Sequence, residues 1–417
     1  MQSAKGAYYF DDQGRKLFDG LSGLWCSPLG HGDPRIGTAI QKQYAMMDYC
    51  PAFQMASAET FSLANRIAKL APEDLNKVFF TNSGSEAVDT ALKIAIAYHR
   101  ALGSASRFRM IGRERSYHGV GIAGISVGGI AANRKTFSNM MMPGVDHLPH
   151  TFNLSKMAFS KGQPKWGSHL AEELEKITAL HDPSSIAAVI LEPVQGSTGV
   201  LVPPEGYLER IREICTNHGI LLIFDEVITG FGRLGENFGA NRFGVVPDMI
   251  VFAKAITNGV IPMGGVIVRD GIYDAIMSVG GQEQMIEFFH GYTYSGHPIA
   301  TAAAHAVLDI FEADDLINRA KALEPVLENA IHSLKGRDGI LDIRNFGLTA
   351  AVDLEPISGK PGMRAMKVLE SCIDRGALVR ITGDTVAVGP PFISTHAEVE
   401  LLIRILGEAI CETANLI

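Results

Sequence analysis

Cysteine is scarce in this chain, and the cysteines that are present lie far apart. There are 5 in 417 residues. An odd, scattered set does not fit the disulfide framework of a small secreted domain, and no two cysteines have the short spacing of a zinc site. The chain also begins without a basic region followed by an apolar core, the pattern of a secretory signal. We therefore expect a cytoplasmic protein.

An excess of positive charge is also lacking. The chain has 37 Lys and Arg against 45 Asp and Glu, a net charge of −8. Such a balance makes binding to nucleic acid or to an anionic membrane surface a poor prediction. Residues 116–133 contain no charged side chain, but the glycines among them indicate a packed loop rather than a membrane span. We expect neither nucleic acid nor membrane as a partner.

Glycine and apolar residues are plentiful, and short apolar runs alternate with helical patterns through the middle of the chain. The helical patterns cover residues 86–101 and 207–218. Runs of this length between helices are typical of strands buried on both faces of a mostly parallel sheet. The sequence therefore predicts an α/β fold. The apolar runs lie at residues 78–81, 186–194, 219–224, 249–253 and 265–268.

The pattern changes after Ser295. Residues 299–335 are mostly helical, and mixed strands and helices follow to the end, separated by turns rich in Gly and Pro. We expect a large domain at residues 37–295. A smaller α+β domain would combine residues 1–36 with residues 296–417.

The glycine-rich segment at residues 119–128 matches two motifs that the rest of its sequence does not support. Gly119, Gly121 and Gly124 have the spacing of a dinucleotide-binding loop, and Ser126 lies in the Gly-x-Ser-x-Gly pattern of a hydrolase nucleophile. Both motifs require a strand directly before and a helix directly after the glycines. The preceding apolar run ends several residues earlier, so both interpretations are disfavoured.

Two further patterns carry little weight. Residues 221–226 resemble the metal-binding strand of a P-loop ATPase, but the only Gly-Lys pair in the chain is followed by Pro361, so the phosphate loop is missing. His147 and His150 are separated by a proline and have no third ligand nearby, which favours a solvated loop over a metal site. We expect no bound metal.

Four elements together indicate a specific chemistry. The segment 81–87, rich in Ser and Gly, precedes a long helix and is suited to an anion. Asp225 and Lys254 each follow an apolar strand, where a carboxylate needs a cationic partner and desolvation lowers the pKa of an amine. Tyr117 begins a glycine-rich turn and can stack on a planar ring. Each feature alone has a structural explanation, but together they favour a pyridoxal phosphate site.

The sequence resembles the class III pyridoxal phosphate-dependent aminotransferases (subgroup II) over nearly its whole length, most of all those that use omega-amino acids such as β-alanine with pyruvate. The resemblance implies fold type I, with a seven-stranded sheet in the large domain, and activity as an omega-amino acid–pyruvate aminotransferase. The matching segments are residues 24–26, 82–87, 117–120, 192–194, 224–233, 253–254, 290–298 and 380–384.

The resemblance also implies roles for individual residues. Lys254 would bond covalently to the cofactor aldehyde and then carry a proton between substrate and cofactor, and Asp225 would keep the ring nitrogen protonated. Thr293 would reach the cofactor phosphate of the neighbouring subunit, so the active site would exist only in a homodimer or homotetramer. The cofactor-binding residues implied in this way are Gly84, Ser85, Tyr117, His118, Glu192, Asp225, Val227, Lys254 and Thr293.

Substrate choice follows from a second group of positions. Arg380 matches the family arginine that grips the substrate carboxylate, and Trp25 would form a wall of the pocket. Relatives that use glutamate carry an arginine where this chain has Val120, and a glutamate where it has Ser197. Both differences favour pyruvate over 2-oxoglutarate as the amino acceptor.

Other functions remain open at this point. A taurine–pyruvate or 4-aminobutyrate–pyruvate aminotransferase would share the same site. A serine hydrolase using Ser126 and a non-catalytic binding protein belong to different classes. Relatives usually carry a further N-terminal arm, before the segment matching Met1, that packs on the partner subunit and helps shape the pocket.

Overall fold

A computed structural model describes residues 1–280 and 286–413. It contains three β-sheets and the helices that cover them. The strands are β1 Ser3–Lys5, β2 Tyr8–Phe10, β3 Lys16–Asp19, β4 Leu75–Thr81, β5 Arg109–Arg113, β6 Val145–Leu148, β7 Ile186–Leu191, β8 Leu221–Asp225, β9 Met249–Ala253, β10 Gly264–Arg269, β11 Ile340–Asn345, β12 Ala350–Leu354, β13 Ala377–Leu378, β14 Arg380–Thr382 and β15 Thr385–Val388.

The helices lie between these strands and, with the last helix, at the C-terminal end of the described residues. Short 3₁₀ turns add to them, including one at Lys254–Thr257. The α-helices are α1 Ser22–Trp25, α2 Pro34–Met46, α3 Ala58–Leu70, α4 Gly84–Ala101, α5 Ile122–Val127, α6 Ala131–Thr136, α7 Leu154–Met157, α8 Glu173–His181, α9 Tyr207–His218, α10 Gly239–Phe243, α11 Asp270–Gly280, α12 Pro298–Ala313, α13 Leu316–His332, α14 Met363–Asp374 and α15 His396–Thr413.

The seven-stranded sheet has the order β4-β10-β9-β8-β7-β5-β6. β10 pairs antiparallel with both of its neighbours, and the pairs from β9 to β6 are all parallel. Six strands therefore run in one direction and one runs against them, which confirms the predicted mostly parallel sheet. β7, β8 and β9 are buried along their whole length, as their unbroken apolar sequences predict.

Two smaller sheets lie outside this core. One joins the N-terminal strands β1, β2 and β3 to β13, and the other has the order β11-β12-β15-β14. The N-terminal segment thus pairs with the C-terminal third of the chain, while the whole seven-stranded sheet lies between Leu75 and Arg269. We propose on this basis that residues 37–295 form the large domain, and that residues 1–36 and 296–417 form the small one.

Two segments whose sequences predict loops can be compared with the structure. The uncharged segment 116–133 folds into loops around the short helix α5 and the start of α6. No helix among the described residues is long and apolar enough to cross a membrane. The interpretation of His147 as part of a solvated loop is wrong, because this residue lies in β6, where Gly128 O accepts a hydrogen bond from its Nε2 at 2.9 Å.

Candidate active site

The site lies at the carboxyl edge of the seven-stranded sheet. Asp225 is the last residue of β8, and Lys254 directly follows β9, which is the parallel neighbour of β8. Thr81 ends β4 at the same edge. β8 and β9 are adjacent and parallel, and β4, on the far side of the antiparallel β10, runs in the same direction. The three segments therefore end at one edge of the sheet, where ligands of open α/β sheets bind.

Asp225 is held by two hydrogen bonds. Its Oδ2 accepts a bond of 2.8 Å from His118 Nδ1, and its Oδ1 accepts the Val227 backbone N–H at 3.1 Å. His118 Nε2 is buried and has no hydrogen-bond partner in the described part of the chain. The two bonds therefore fix the orientation of a carboxylate that lines the cavity.

Lys254 has an unusual backbone and an unusual side-chain environment. Its φ angle is +54°, in the left-handed region that non-glycine residues adopt at a cost of about 1–3 kcal/mol. Burial lowers the pKa of the Lys254 amine to about 8, and the opposing attraction of Asp225 is smaller. A free amine is the form that attacks a carbonyl, so this lysine is a better nucleophile at neutral pH than one on the surface.

An anion cradle lies at the N-terminus of α4. Ser83 caps the helix by accepting the Glu86 N–H through its Oγ at 3.2 Å, and Glu86 Oε2 accepts the Asn82 N–H at 2.7 Å. The N–H groups of Gly84 and Ser85, in the first turn, have no intrahelical acceptors and are available to an anion.

Neighbouring segments close around this cradle. Ser85 Oγ accepts the Val120 N–H at 3.1 Å, and a Cβ at Gly119 would lie 2.5 Å from the same oxygen, so only glycine fits there. A Cβ at Gly84 would lie 3.0 Å from the Val227 side chain. Glycine at these two positions lets the start of α4 lie close to the Gly119 turn and to Val227.

Glu192 supports the loop that carries Tyr117. Its Oε1 accepts the Tyr117 N–H at 2.9 Å, and the Arg113 guanidinium donates to its backbone oxygen at 2.7 Å. Burial raises the pKa of Glu192 to about 7, and the negative charge of Asp225 adds to this. Burial also raises the pKa of Tyr117.

These groups line one cavity of about 120 Å³. Its lining combines a helix N-terminus, a buried carboxylate, a lysine, an aromatic residue and Val227. A flat, anionic, nitrogen-containing ring such as pyridoxal phosphate fits this set of donors and acceptors. The lining residues are Gly84, Ser85, Tyr117, His118, Gly119, Glu192, Ser197, Asp225, Val227, Ile228 and Lys254.

Four residues with predicted roles do not line this cavity. One of them, Val120, is 68% exposed. Thr293 is exposed, and its backbone oxygen accepts a bond of 3.0 Å from Tyr49 Oη. Arg380 starts β14 and has no ion-pair partner among the described residues, but its positive charge lowers the pKa of Lys254 and opposes the rise at Tyr117. Trp25 is 2% exposed, and a Cβ at Gly389 would lie 2.2 Å from its ring. The indole is thus packed in a small apolar core.

The structure also assigns other positions. Ile228 lines the cavity without having been singled out in the sequence, although it follows a strand-end motif. Ser126 lies inside α5 and is buried. Its Oγ donates to Ile122 O at 2.7 Å and accepts the Met142 N–H at 2.9 Å. A serine bonded in this way does not form a nucleophile elbow, so the hydrolase alternative is wrong.

The acidic residue next to Asp225 has a different task. Glu226 is buried, and its carboxylate accepts the Ala240 N–H and the Thr229 hydroxyl, both at 2.8 Å, as well as the Gly239 N–H. Burial raises the pKa of Glu226 to about 7. It therefore supports the start of α10 and does not reach the cavity.

Fold and site together define an enzyme of the aminotransferase type, and comparison with known proteins agrees. The family model for class-III aminotransferases matches residues 1–410. The chain belongs to this family.

Individual relatives are similar over almost the full chain. An omega-aminotransferase of Caulobacter vibrioides is 54% identical, with 98% of this chain and 93% of the relative covered. A beta-alanine–pyruvate aminotransferase of Pseudomonas aeruginosa is 49% identical, with 98% and 91% covered. The structure of an omega transaminase of Pseudomonas jessenii in complex with PMP has a TM-score of 0.92, 32% identity, and 99% and 92% coverage.

Proposed function

We propose that this enzyme transfers the amino group of β-alanine, or of another omega-amino acid, to pyruvate in two half-reactions, giving a semialdehyde and alanine. The observation that carries the proposal is the isolation of Arg380. It has no acidic partner among the described residues, and its charge acts on Lys254 and Tyr117. One unpaired arginine suits substrates that have one carboxylate. The named activities of the two relatives at 49% and 54% identity support the same choice.

We propose that the cavity binds pyridoxal phosphate. When bound, this cofactor supplies an aldehyde that takes up the amino group and a ring that withdraws electrons from the substrate carbon. Gly84 and Ser85 would hold its phosphate through the N–H groups at the start of α4. Tyr117 and Val227 would pack against the two faces of its ring, with Glu192 fixing the Tyr117 loop.

Two residues would handle the protons. Asp225, oriented by His118, would hold a proton on the ring nitrogen, because a buried carboxylate at 6% side-chain exposure stabilises a positive charge beside it. Lys254 Nζ would bond to the cofactor in the resting enzyme. Once the substrate amine has replaced it, the free Nζ would carry a proton from the substrate carbon to the cofactor carbon. Its pKa of about 8 suits a base that acts near neutral pH.

Arg380 would bind the carboxylate of both substrates in turn. A dicarboxylate such as 2-oxoglutarate would find no charged partner for its second carboxylate. Ser197, which lines the cavity, carries no charge, and the exposed Val120 stands where relatives that use glutamate carry an arginine. Leaving that group unpaired costs several kcal/mol in a desolvated pocket. This supports pyruvate as the acceptor. Trp25 as a pocket wall stays a prediction, as does a cytoplasmic location.

We propose further that the enzyme is a homodimer, or a tetramer built from dimers. Thr293 is exposed and lies outside the cavity of its own chain, which fits a residue that serves the phosphate site of a partner. The exposed apolar residues Phe53, Phe61 and Tyr294 support an interface near this segment.

Single-turnover measurements with the cofactor-loaded enzyme test the proposal. The absorbance change on mixing with β-alanine reports the first half-reaction, and its reversal by pyruvate reports the second. We expect β-alanine to react faster than taurine, whose sulfonate lacks the planar two-oxygen geometry that a guanidinium binds. A faster reaction of taurine or 4-aminobutyrate would change the donor assignment. If no amine reacts, the proposed activity is wrong and the alternative of a non-catalytic binding protein is favoured.

A further inference from the structure

The turn that carries Ser197 is held by an unusual set of contacts. This segment, residues 195–201, is called the Ser197 turn below. Gln195 and Leu201 close it with two backbone hydrogen bonds of 3.1 and 3.0 Å. Ser197 lines the cavity, so the position of the turn sets one wall of the site.

Three successive carbonyl oxygens of the Ser197 turn each accept a hydrogen bond from a different side chain. Ser197 O accepts from Thr382 Oγ1 at 3.0 Å. Thr198 O accepts from Arg115 Nη2 at 3.2 Å, and Gly199 O accepts from Arg344 Nε at 2.8 Å. The donors come from three different segments of the chain, so the turn is where those segments are joined.

The Arg344 contact forms a rigid base. Arg344 is buried and pairs with Asp342 at 2.7 Å and with Asp353 at 2.8 Å. Gly199 has a φ angle of +107°, and a Cβ there would lie 2.8 Å from the Thr385 methyl group. This end of the turn is thus fixed against the sheet of β11, β12, β15 and β14.

The Thr382 contact is of another kind. Thr382 is exposed and ends β14, a strand of three residues at the edge of its sheet. β15 pairs with one side of β14, and the bond to Ser197 O ties the strand to the turn. Arg380 starts the same strand two residues earlier, so the two side chains project from the same face.

We propose that Thr382 is a positioning residue for carboxylate recognition. By bonding to the Ser197 turn it would hold the edge strand β14, and with it Arg380, at a fixed distance from the cavity. The proposal rests on the proposed function, in which Arg380 binds the substrate carboxylate. Thr382 would touch neither substrate nor cofactor.

The variant Thr382→Val tests this. Valine keeps the branched shape that suits a strand and removes only the hydroxyl. Thr382→Ser keeps the hydroxyl and should restore the wild-type behaviour. Thr38→Val is the matched control, because Thr38 is also exposed and donates to a carbonyl, that of Pro34 at 2.9 Å, in α2.

Two measurements are needed. Calorimetry with the loaded enzyme gives the affinity for propionate, a carboxylate that cannot react. Single-turnover kinetics give the half-saturating concentration and the limiting rate for β-alanine and for 1-butylamine, which has no carboxylate. We expect Thr382→Val to weaken propionate and β-alanine binding measurably and by at most about fivefold, because the loss is limited by the single hydrogen bond that positions β14. The limiting rate and the reaction of 1-butylamine should not change.

The outcomes separate this proposal from the proposed function. Equal loss for both amines, or no recovery in Thr382→Ser, would indicate a merely structural role and overturn the inference. If Arg380→Ala weakens propionate binding while Thr382→Val does not, the inference fails and the clamp stands. If Arg380→Ala has no effect on propionate, the clamp itself is wrong and Thr382 loses its role with it. In the double variant, the two losses should not add.

Discussion

His118 Nδ1 donates a 2.8 Å hydrogen bond to Asp225 Oδ2, and the two side chains are 0% and 6% exposed. Because a carboxylate only accepts, the proton in this bond belongs to the imidazole. The pair fixes the direction in which the negative charge of Asp225 faces the cavity. If the proposed chemistry depends on the negative charge of Asp225, removing that charge should lower activity even when the shape of the side chain is kept.

Asp225→Asn should lower kcat/KM at least about 100-fold, equivalent to ~3 kcal/mol of lost transition-state stabilisation. The amide keeps the shape but cannot hold a proton on the cofactor ring nitrogen. Steady-state kinetics with β-alanine and pyruvate measure the loss, with the exposed Asp12→Asn as control. Activity within tenfold of wild type would contradict the proposed role of the charge.

Lys254→Ala should abolish turnover while the cofactor still binds without a covalent bond. After borohydride reduction of the wild-type enzyme, peptide mass spectrometry should find the adduct on Lys254, and an adduct on another lysine would refute the assignment. The pH dependence is a second readout. The amine attacks in its free form and its pKa is about 8, so the rate of cofactor loading should rise with pH and level off above about 8, whereas an ordinary lysine would continue to gain.

Pyruvate should be preferred over 2-oxoglutarate by at least about 100-fold in kcat/KM, because the second carboxylate finds no partner. Arg380→Ala should cripple the reactions of β-alanine and alanine and spare 1-butylamine. Both comparisons use the same coupled assay. Equal use of the two acceptors, or an equal loss for all amines in the variant, would disprove this account of specificity.

Glu192→Gln should change how the stability of the cofactor-free protein depends on pH. Burial raises the pKa of Glu192 to about 7, so the native state favours the protonated acid. Below the pKa of Glu192 in the unfolded chain, near 4.5, the carboxyl is protonated in both states, so the free energy of unfolding does not depend on its titration. Between that value and about 7 the native state holds the extra proton, so this contribution to stability falls as the pH rises.

Glutamine cannot ionise, and its oxygen can still accept the Tyr117 N–H. Relative to wild type, Glu192→Gln should therefore gain up to ~3 kcal/mol between pH 4.5 and pH 8. Urea unfolding at the two pH values measures the difference. The exposed Glu205→Gln should show none of this dependence, and a parallel pH response in wild type and Glu192→Gln would rule the explanation out.

Subunit complementation tests the shared site. If Thr293 serves the partner's cofactor, the homo-oligomers of Lys254→Ala and of Thr293→Ala should both be impaired. Mixed dimers should regain one intact site, because one subunit supplies Lys254 and the other Thr293. Activity and cofactor content after co-refolding report the recovery, with size-exclusion chromatography for the oligomeric state. Mixtures that never exceed the two parents would place Thr293 outside the partner's site.

Local patterns predicted much of the fold. The structure places β9 and α9 at the predicted bounds, because both have strong periodicity and clear ends. α4 begins two residues earlier than its apolar pattern indicates. The start of this helix is set by the Ser83 cap, which precedes the first buried apolar residue. The antiparallel direction of β10 was not predictable, because a short apolar run is equally compatible with either direction.

The candidate site was predictable where one strand end carries one chemical group. Asp225 and Lys254 meet because their strands are neighbours, and the parallel sheet brings their ends together. Contacts between distant segments left no local signal. The packing of Trp25 against Gly389 and the bond between Thr382 and Ser197 join residues 364 and 185 positions apart in the chain, and only the folded structure reveals them.

The three side-chain hydrogen bonds that hold the Ser197 turn all go to its backbone oxygens, and none involves the Ser197 side chain. Ser197 Oγ has no hydrogen-bond partner among the described residues. Evolution can therefore exchange this side chain while the wall of the pocket stays in place. If positions 120 and 197 select the acceptor as proposed, single substitutions there should change acceptor preference while remaining nearly neutral for folding. A library randomised at these two positions is then a compact starting point for redesigning which keto acid the enzyme accepts.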